Sequence, residues 1–222
     1  MPERHTIDVD GDDLVAVHHP AAGDRWLVFS HGFASDKSGS YEGRCERAVA
    51  EGYDAVRFDH RGCGESDRAF DEQSLETRLA DLRAVLERFE PSACVLFGSS
   101  FGGAVALHGA LEAPVEAVAV RAPVTDTRVF DGYRDELPPA FFAALDRHPF
   151  ERVADDLSVP VLLFHGRADG SVPLSDSLDA AGALSTDVSL EVYADEGHRF
   201  SRSAEARMRD RLFEWLNSLP TL

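Results

Sequence analysis

Ala93-Cys94-Val95-Leu96-Phe97-Gly98-Ser99-Ser100-Phe101-Gly102-Gly103 reads as a short apolar strand that runs without a linker into a small-residue helix. The turn between them holds two serines, and the glycine frame separates them. Gly-x-Ser-x-Gly needs glycine two before and two after its serine. Only Ser100 has both, because Ser99 is flanked by Phe97 and Phe101. The glycines answer a steric demand: a serine on a sharp strand-to-helix turn has strained backbone angles, and neighbours without Cβ let strand and helix approach. A chance Gly/Ser turn is the competing reading, since the bare pentapeptide is common. The strand before it and the helix after it supply the context the motif requires. Ser100 is the candidate nucleophile.

Outward from this turn, short β-branched runs alternate with segments of helical period, the pattern of a parallel α/β sheet. Strands are expected at 26–29, 55–58, 115–120, 159–164 and 188–193. An opening hairpin is expected over 5–9 and 13–18 around Asp10-Gly11. Tyr41, Cys45, Ala48 and Val49 share one helical face, as do Leu75, Leu79, Leu82 and Leu86, and a last helix carries Ala204, Met208, Leu212 and Trp215. The alternation breaks between about 124 and 150, where an insertion would sit over the carboxyl edge of the sheet. The expected fold is a single α/β domain over 1–222. It has a mostly parallel central sheet flanked by helices, an N-terminal antiparallel hairpin and a short cap insertion.

Charge restricts the partners. With 22 basic residues against 40 acidic, the formal net charge is −18. Such a surface repels phosphate backbones and anionic lipid heads, so neither nucleic acid nor a membrane is an expected partner. Three cysteines (Cys45, Cys63, Cys94) with no CxxC argue against a disulfide framework and a structural metal. No secretory h-region and no long apolar run is present, and the reading is a soluble, cytoplasmic protein that needs no cofactor or metal. Lys37 is the single lysine, and acid excess with so little lysine fits a high-salt cytoplasm, where repulsion is screened. Codon bias in a GC-rich genome would favour arginine over lysine but would not explain −18.

A serine needs a base, and His198 lies in the loop between the last strand and the last helix, a place that returns its side chain to the carboxyl edge. His165 closes a strand as His-Gly and reads as structural. The orienting carboxylate is assigned to Asp169, just past the strand 159–164, which gives the chain order Ser, Asp, His; Asp126, after the preceding strand, is the rival. Oxyanion donors are expected from the backbone N–H of Phe101, at the start of its helix, and of Phe33, after the first buried strand. In the insertion, Phe141 and Leu145 share a helical face with Phe142 beside them. They form either an acyl-pocket wall or simple packing onto the sheet.

Together these landmarks resemble the α/β-hydrolase superfamily along nearly the whole chain. They are His31-Gly32-Phe33, Phe58-Asp59-His60-Arg61-Gly62-Cys63-Gly64-Glu65-Ser66, the Ser100 pentapeptide, His165-Gly166-Arg167-Ala168-Asp169 and Gly197-His198. Five motifs in the right order are specific where one is not. The Phe58–Ser66 segment looks like that of serine esterases, lipases, thioesterases and serine peptidases of the superfamily. The resemblance implies a serine hydrolase acting on small to medium carboxylic esters through an acyl-enzyme, a small-molecule substrate. A thioesterase or small-peptide hydrolase would use identical machinery. A slow-turnover binding protein on the same fold is the reading of a different class.

Overall fold

Asp10 and Gly11 both take positive φ (58° and 89°), the backbone of a two-residue hairpin turn. They fold β1 (Glu3–Val9) onto β2 (Asp12–His19) in antiparallel register. The computed structural model describes residues 1–219. After the hairpin come β3 (Arg25–Ser30), α1 (Ser40–Ala50), β4 (Tyr53–Phe58), α2 (Leu75–Phe89), β5 (Ala93–Ser99) and α3 (Phe101–Gly109). They are followed by β6 (Ala117–Arg121), α4 (Pro139–Arg147), α5 (Phe150–Asp156), β7 (Val161–Gly166), α6 (Leu174–Ala183), β8 (Val188–Tyr193) and α7 (Arg202–Ser218).

The eight strands form one sheet in the order β1-β2-β4-β3-β5-β6-β7-β8. It is parallel from β4 across to β8, and β2 joins both β1 and β4 antiparallel. The central strands read as continuous apolar runs because both of their faces are covered. Side chains alternate between two cores. Leu27, Phe29, Val95, Phe97, Ala119 and Phe164 face α1 and α7, while Val28, Leu96, Val118, Val120 and Leu163 face α2 and α3. Truncating a ring such as Phe97, with 0% of its surface exposed, would cost about 3–5 kcal/mol. All three cysteines are free and buried.

Helix α2 starts at a reciprocal cap: Ser74 Oγ accepts the Thr77 N–H at 3.2 Å, and Thr77 Oγ1 accepts the Ser74 N–H at 2.8 Å. The expected insertion lies between β6 and β7. It forms a 3₁₀ segment (Thr127–Tyr133) and α4, whose first residue is Pro139, a position where the missing N–H is harmless. Phe130, Leu137, Phe141 and Leu145 pack it onto the α2/α3 core.

Candidate active site

The sharp turn is where the glycine frame predicts it. Ser100 follows the last residue of β5 with φ 54° and ψ −122°, a conformation that costs a non-glycine residue about 1–3 kcal/mol. Three backbone bonds hold it: Ser100 N–H to Arg121 O at 2.9 Å, and Gly103 and Val124 N–H to Ser100 O at 2.8 and 3.1 Å. A Cβ at Gly98 would stand 2.1 Å from the Gly102 carbonyl oxygen, and one at Gly102 would stand 2.3 Å from that of Ser30. No other residue type fits either position without moving backbone. Ser99 points elsewhere: it is buried, and its Oγ accepts the Arg44 guanidinium at 3.1 Å.

Two loops at the carboxyl ends of β7 and β8 meet beside this turn. His198 Nδ1 lies 2.8 Å from Asp169 Oδ2, with the carboxylate fully buried and the imidazole 24% exposed. Asp169 Oδ1 accepts the backbone N–H groups of Ser171 and Val172 at 2.8 and 3.0 Å. Burial alone would raise this carboxyl. Hydrogen bonds from His165, His198 and the two amides outweigh it and hold the group well below the usual carboxylate range. The loops can approach so closely because Gly166 has no side chain; a Cβ there would meet Glu196 O at 2.4 Å and Gly197 O at 2.5 Å. His165 is structural, its Nδ1 2.7 Å from Ser177 Oγ and its Nε2 3.1 Å from Val172 O. The rival Asp126 is bonded to its near neighbour Arg128.

Ser100 and His198 line one cleft of about 470 Å³, together with Phe33, Ser35, Asp36, Tyr41, Arg121, Arg199, Phe200 and Glu205. Their side chains do not hydrogen-bond to each other in this geometry, a contact that often closes only around substrate. The Phe33 N–H has no partner among the described residues, and Phe101, first in α3, has no intrahelical acceptor. The peptide that presents Phe33 N–H is pinned from behind. Gly32 O accepts His31 Nδ1–H at 2.8 Å and both Arg78 Nη groups at 3.4 Å, and Arg78 Nη1 also donates to His31 O at 3.0 Å. In a trans peptide C=O and N–H point opposite ways, so anchoring Gly32 O inward turns Phe33 N–H outward. At the far end of the loop, Asp59 accepts the Lys37 N–H at 2.7 Å and Lys37 Nζ at 2.6 Å.

A second Ser-His-Asp arrangement lies beneath that loop. Ser30 Oγ is 2.8 Å from His60 Nε2, and His60 Nδ1 is 3.3 Å from Asp81 Oδ2. All three are buried, and burial, then Arg78 and Arg61, hold the His60 imidazole well below its ordinary value. Its geometry is nearly complete, but no substrate can reach it.

Phe141 and Leu145 take the packing alternative. Both are buried in the α2/α3 core, and Phe141 touches the cleft only through Phe33, 5.8 Å away between ring centroids. Phe142 is half-buried beside Phe141, and neither lines the cleft. Arg121 and Glu205 line it without having been anticipated. The one available signal was Arg121, a charged residue closing the apolar run Ala117–Val120. As for metals, Glu3, His5 and His18 bring one ligand atom each within 4.8 Å of one another on the outermost strands. There His18 Nε2 is already 2.6 Å from Asp54 Oδ1.

Known proteins share this arrangement of elements. The family described as serine aminopeptidase, S33, matches residues 22–147. Human mitochondrial palmitoyl-protein thioesterase ABHD10 is 24% identical over 212 residues, covering 82% of this chain and 69% of that protein. The solved mouse ABHD10 superposes with a TM-score of 0.87 at 21% identity, over 97% of this chain and 98% of that one. Est1E from Butyrivibrio proteoclasticus, solved with ferulic acid bound, gives 0.85 at 18% identity, over 96% and 100%. At these identities the structural likeness speaks for the fold alone. No helix among the described residues is long and apolar enough to cross a membrane.

Proposed function

Since the chain belongs to the serine aminopeptidase S33 family of α/β hydrolases, we propose that it cleaves small to medium carboxylic esters through an acyl-enzyme on Ser100. The observation that carries this reading is the 2.8 Å contact of His198 Nδ1 with a buried Asp169, opening on the same cleft as a strained serine.

Asp169 fixes the tautomer in which Nδ1 bears the proton, so Nε2 is free to take the Ser100 proton as Oγ attacks the carbonyl carbon. The tetrahedral oxyanion sits between the N–H groups of Phe33 and Phe101, each such donor supplying about 10²–10³ in rate. As the C–O bond to the alcohol breaks, the imidazolium returns its proton to the leaving oxygen. Water then gives a proton to Nε2 and attacks the acyl-serine; as the acyl C–O bond breaks and the acid leaves, the imidazolium passes that proton to Ser100 Oγ, restoring both groups. The substrate is a small molecule, and no step needs a cofactor or metal. The size class follows from the lining: Asp36, Arg121, Arg199 and Glu205 make a poor wall for a long acyl chain. Thioester cleavage is the second reading, favoured by the similarity to a palmitoyl-protein thioesterase. The setting we propose is a high-salt cytoplasm, on the strength of a net charge of −18.

The test is covalent labelling by a fluorophosphonate together with hydrolysis of p-nitrophenyl esters. Wild type and Ser99→Ala should label and turn over, and Ser100→Ala should do neither. Equal loss in both folded variants would remove the nucleophile assignment, and an unlabelled wild type would favour a binding protein.

A further inference from the structure

Five arginines are buried among the described residues, and four of them bond through Nε and at least one Nη group. Arg44 holds Glu205 through Nε and Nη2, Arg57 meets His19 and Glu42, and Arg61 meets Asp81. Arg78 has no carboxylate partner among the described residues but spreads its N–H groups over Gln73 Oε1, Cys63 Sγ and the His31 and Gly32 carbonyls. Arg121 is the exception. It is only 9% exposed, and its Nη1 donates to the His198 carbonyl. Its Nε is buried with no partner, and Nη2 makes no hydrogen bond among the described residues. No carboxylate lies within 4.0 Å of it among the described residues, in a chain with 40 acidic side chains.

A buried cation without a counterion is costly and needs a reason. The reason points into the cleft, because Arg121 lines it beside Ser100 and His198. Phe200 covers one face of the guanidinium, 5.4 Å from ring centroid to Cζ, which leaves the edges. The unspent Nε and Nη2 donors share the side-on edge of the guanidinium; Nε is closed off in this conformation, so Nη2 makes the first contact with a carboxylate oxygen and Nε takes the second oxygen only as the side chain shifts. We propose, on the ester-hydrolase reading above, that the cleft takes esters whose acid or alcohol part bears a carboxylate, and that this edge of Arg121 binds it. A singly charged carboxylate fits better than a phosphate dianion, since Glu205 and Asp36 border the same space. With the exposed Arg199 on the same cleft, Arg121 makes a local positive site on a surface of −18 that otherwise repels an anionic substrate.

The test uses pairs of esters that differ by one charge, each rate normalised to that ester's alkaline hydrolysis. p-Nitrophenyl hydrogen adipate is compared with p-nitrophenyl hexanoate, and 3-acetoxybenzoate with phenyl acetate, so that acid-side and alcohol-side carboxylates are told apart. In at least one pair wild type should favour the anionic ester in kcat/KM by about ten- to a hundredfold, the range of one buried charge-assisted pair. R121Q should bring that ratio close to one, and R121K should keep part of it. A wild-type ratio at or below one in both pairs overturns the proposal, and this holds even if R121Q does not fold. A ratio that survives in R121Q overturns it too. If neutral esters are also untouched and fluorophosphonate does not label Ser100, the hydrolase reading falls as well.

Discussion

Gly166→Ala should disable the site without touching any group that meets the substrate. The Cβ would stand 2.4 Å from Glu196 O and 2.5 Å from Gly197 O, both backbone atoms of the loop that bears His198. An ordinary contact begins at 3.4 Å, so the two loops must separate by about 1 Å. The 2.8 Å bond between His198 and Asp169 then passes the limit of about 3.2 Å at which such bonds hold. A misplacement of this size costs on the order of 10²-fold in kcat. Overpacking costs about 1–3 kcal/mol of stability, which lowers Tm by roughly 2–12 °C in a domain of this length. The assay is kcat and KM on p-nitrophenyl butyrate, with thermal melting followed by circular dichroism. KM should move much less than kcat, since the cleft walls stay in place. In an Asp169→Asn background the same substitution should cost far less, because the contact it disrupts is already compromised. A folded Gly166→Ala enzyme with kcat within about threefold of wild type would refute the reasoning.

Asp169→Asn should lower kcat by about 10⁴ through the wrong histidine tautomer, with Asp126→Asn nearly silent; the reverse order would move the acid to the end of β6. Burial above all holds His19 and His108 down at about 4 and His31 and His60 well below their ordinary value. Unfolding frees these four to take up protons near pH 6.5, so the unfolded state binds more protons below that value and stability falls with pH. Tm should therefore drop by several degrees from pH 7 to 5 at constant ionic strength, and a flat or rising profile would count against it. Raising KCl from about 0.1 to 2 M shortens the screening length from about 10 Å to under 3 Å. Tm and specific activity should both rise across it, and if both stay flat the acidity reflects codon bias.

The fold was legible because its two rules are local. Period-2 patterning places each strand to within about two residues, period-3.6 patterning marks the apolar faces of α1, α2 and α7 but not the short helices α5 and α6, and Asp10-Gly11 announces its own turn. The glycine frame around Ser100 is local as well, and it marks the serine with φ 54°. Asp169 and His198 were proposed from position alone, as residues just past strand ends, and the structure brings them into contact. What stayed hidden depends on burial over long separations. Nothing in a linear chain distinguishes Arg44 and Arg78 from the other arginines, most of them solvated, and Arg121 is marked only by closing an apolar run. The relay of Ser30, His60 and Asp81 spans 51 residues of sequence. The alternatives for Phe141 and Leu145 could not be separated either, because an amphipathic helix over a sheet edge has the same spacing whether its apolar face meets ligand or core.

Arg44 on α1 and Glu205 on α7 join beneath the cleft, and Arg44 reaches on to Ser99. The reaction floor is thus a seam between two helices rather than part of the sheet. Helix α7 also begins immediately after the His198 loop, where Ser201 N–H and Oγ bind the Glu196 carboxylate. A helix laid over a sheet's face can open at lower free energy than the central strands it covers. Warming should therefore loosen the catalytic floor while β3, β5 and β6 remain paired. Heat inactivation would then report the undocking of one helix, running ahead of the ellipticity curve, and a cross-link between α1 and α7 would protect turnover more than it raises the melting point.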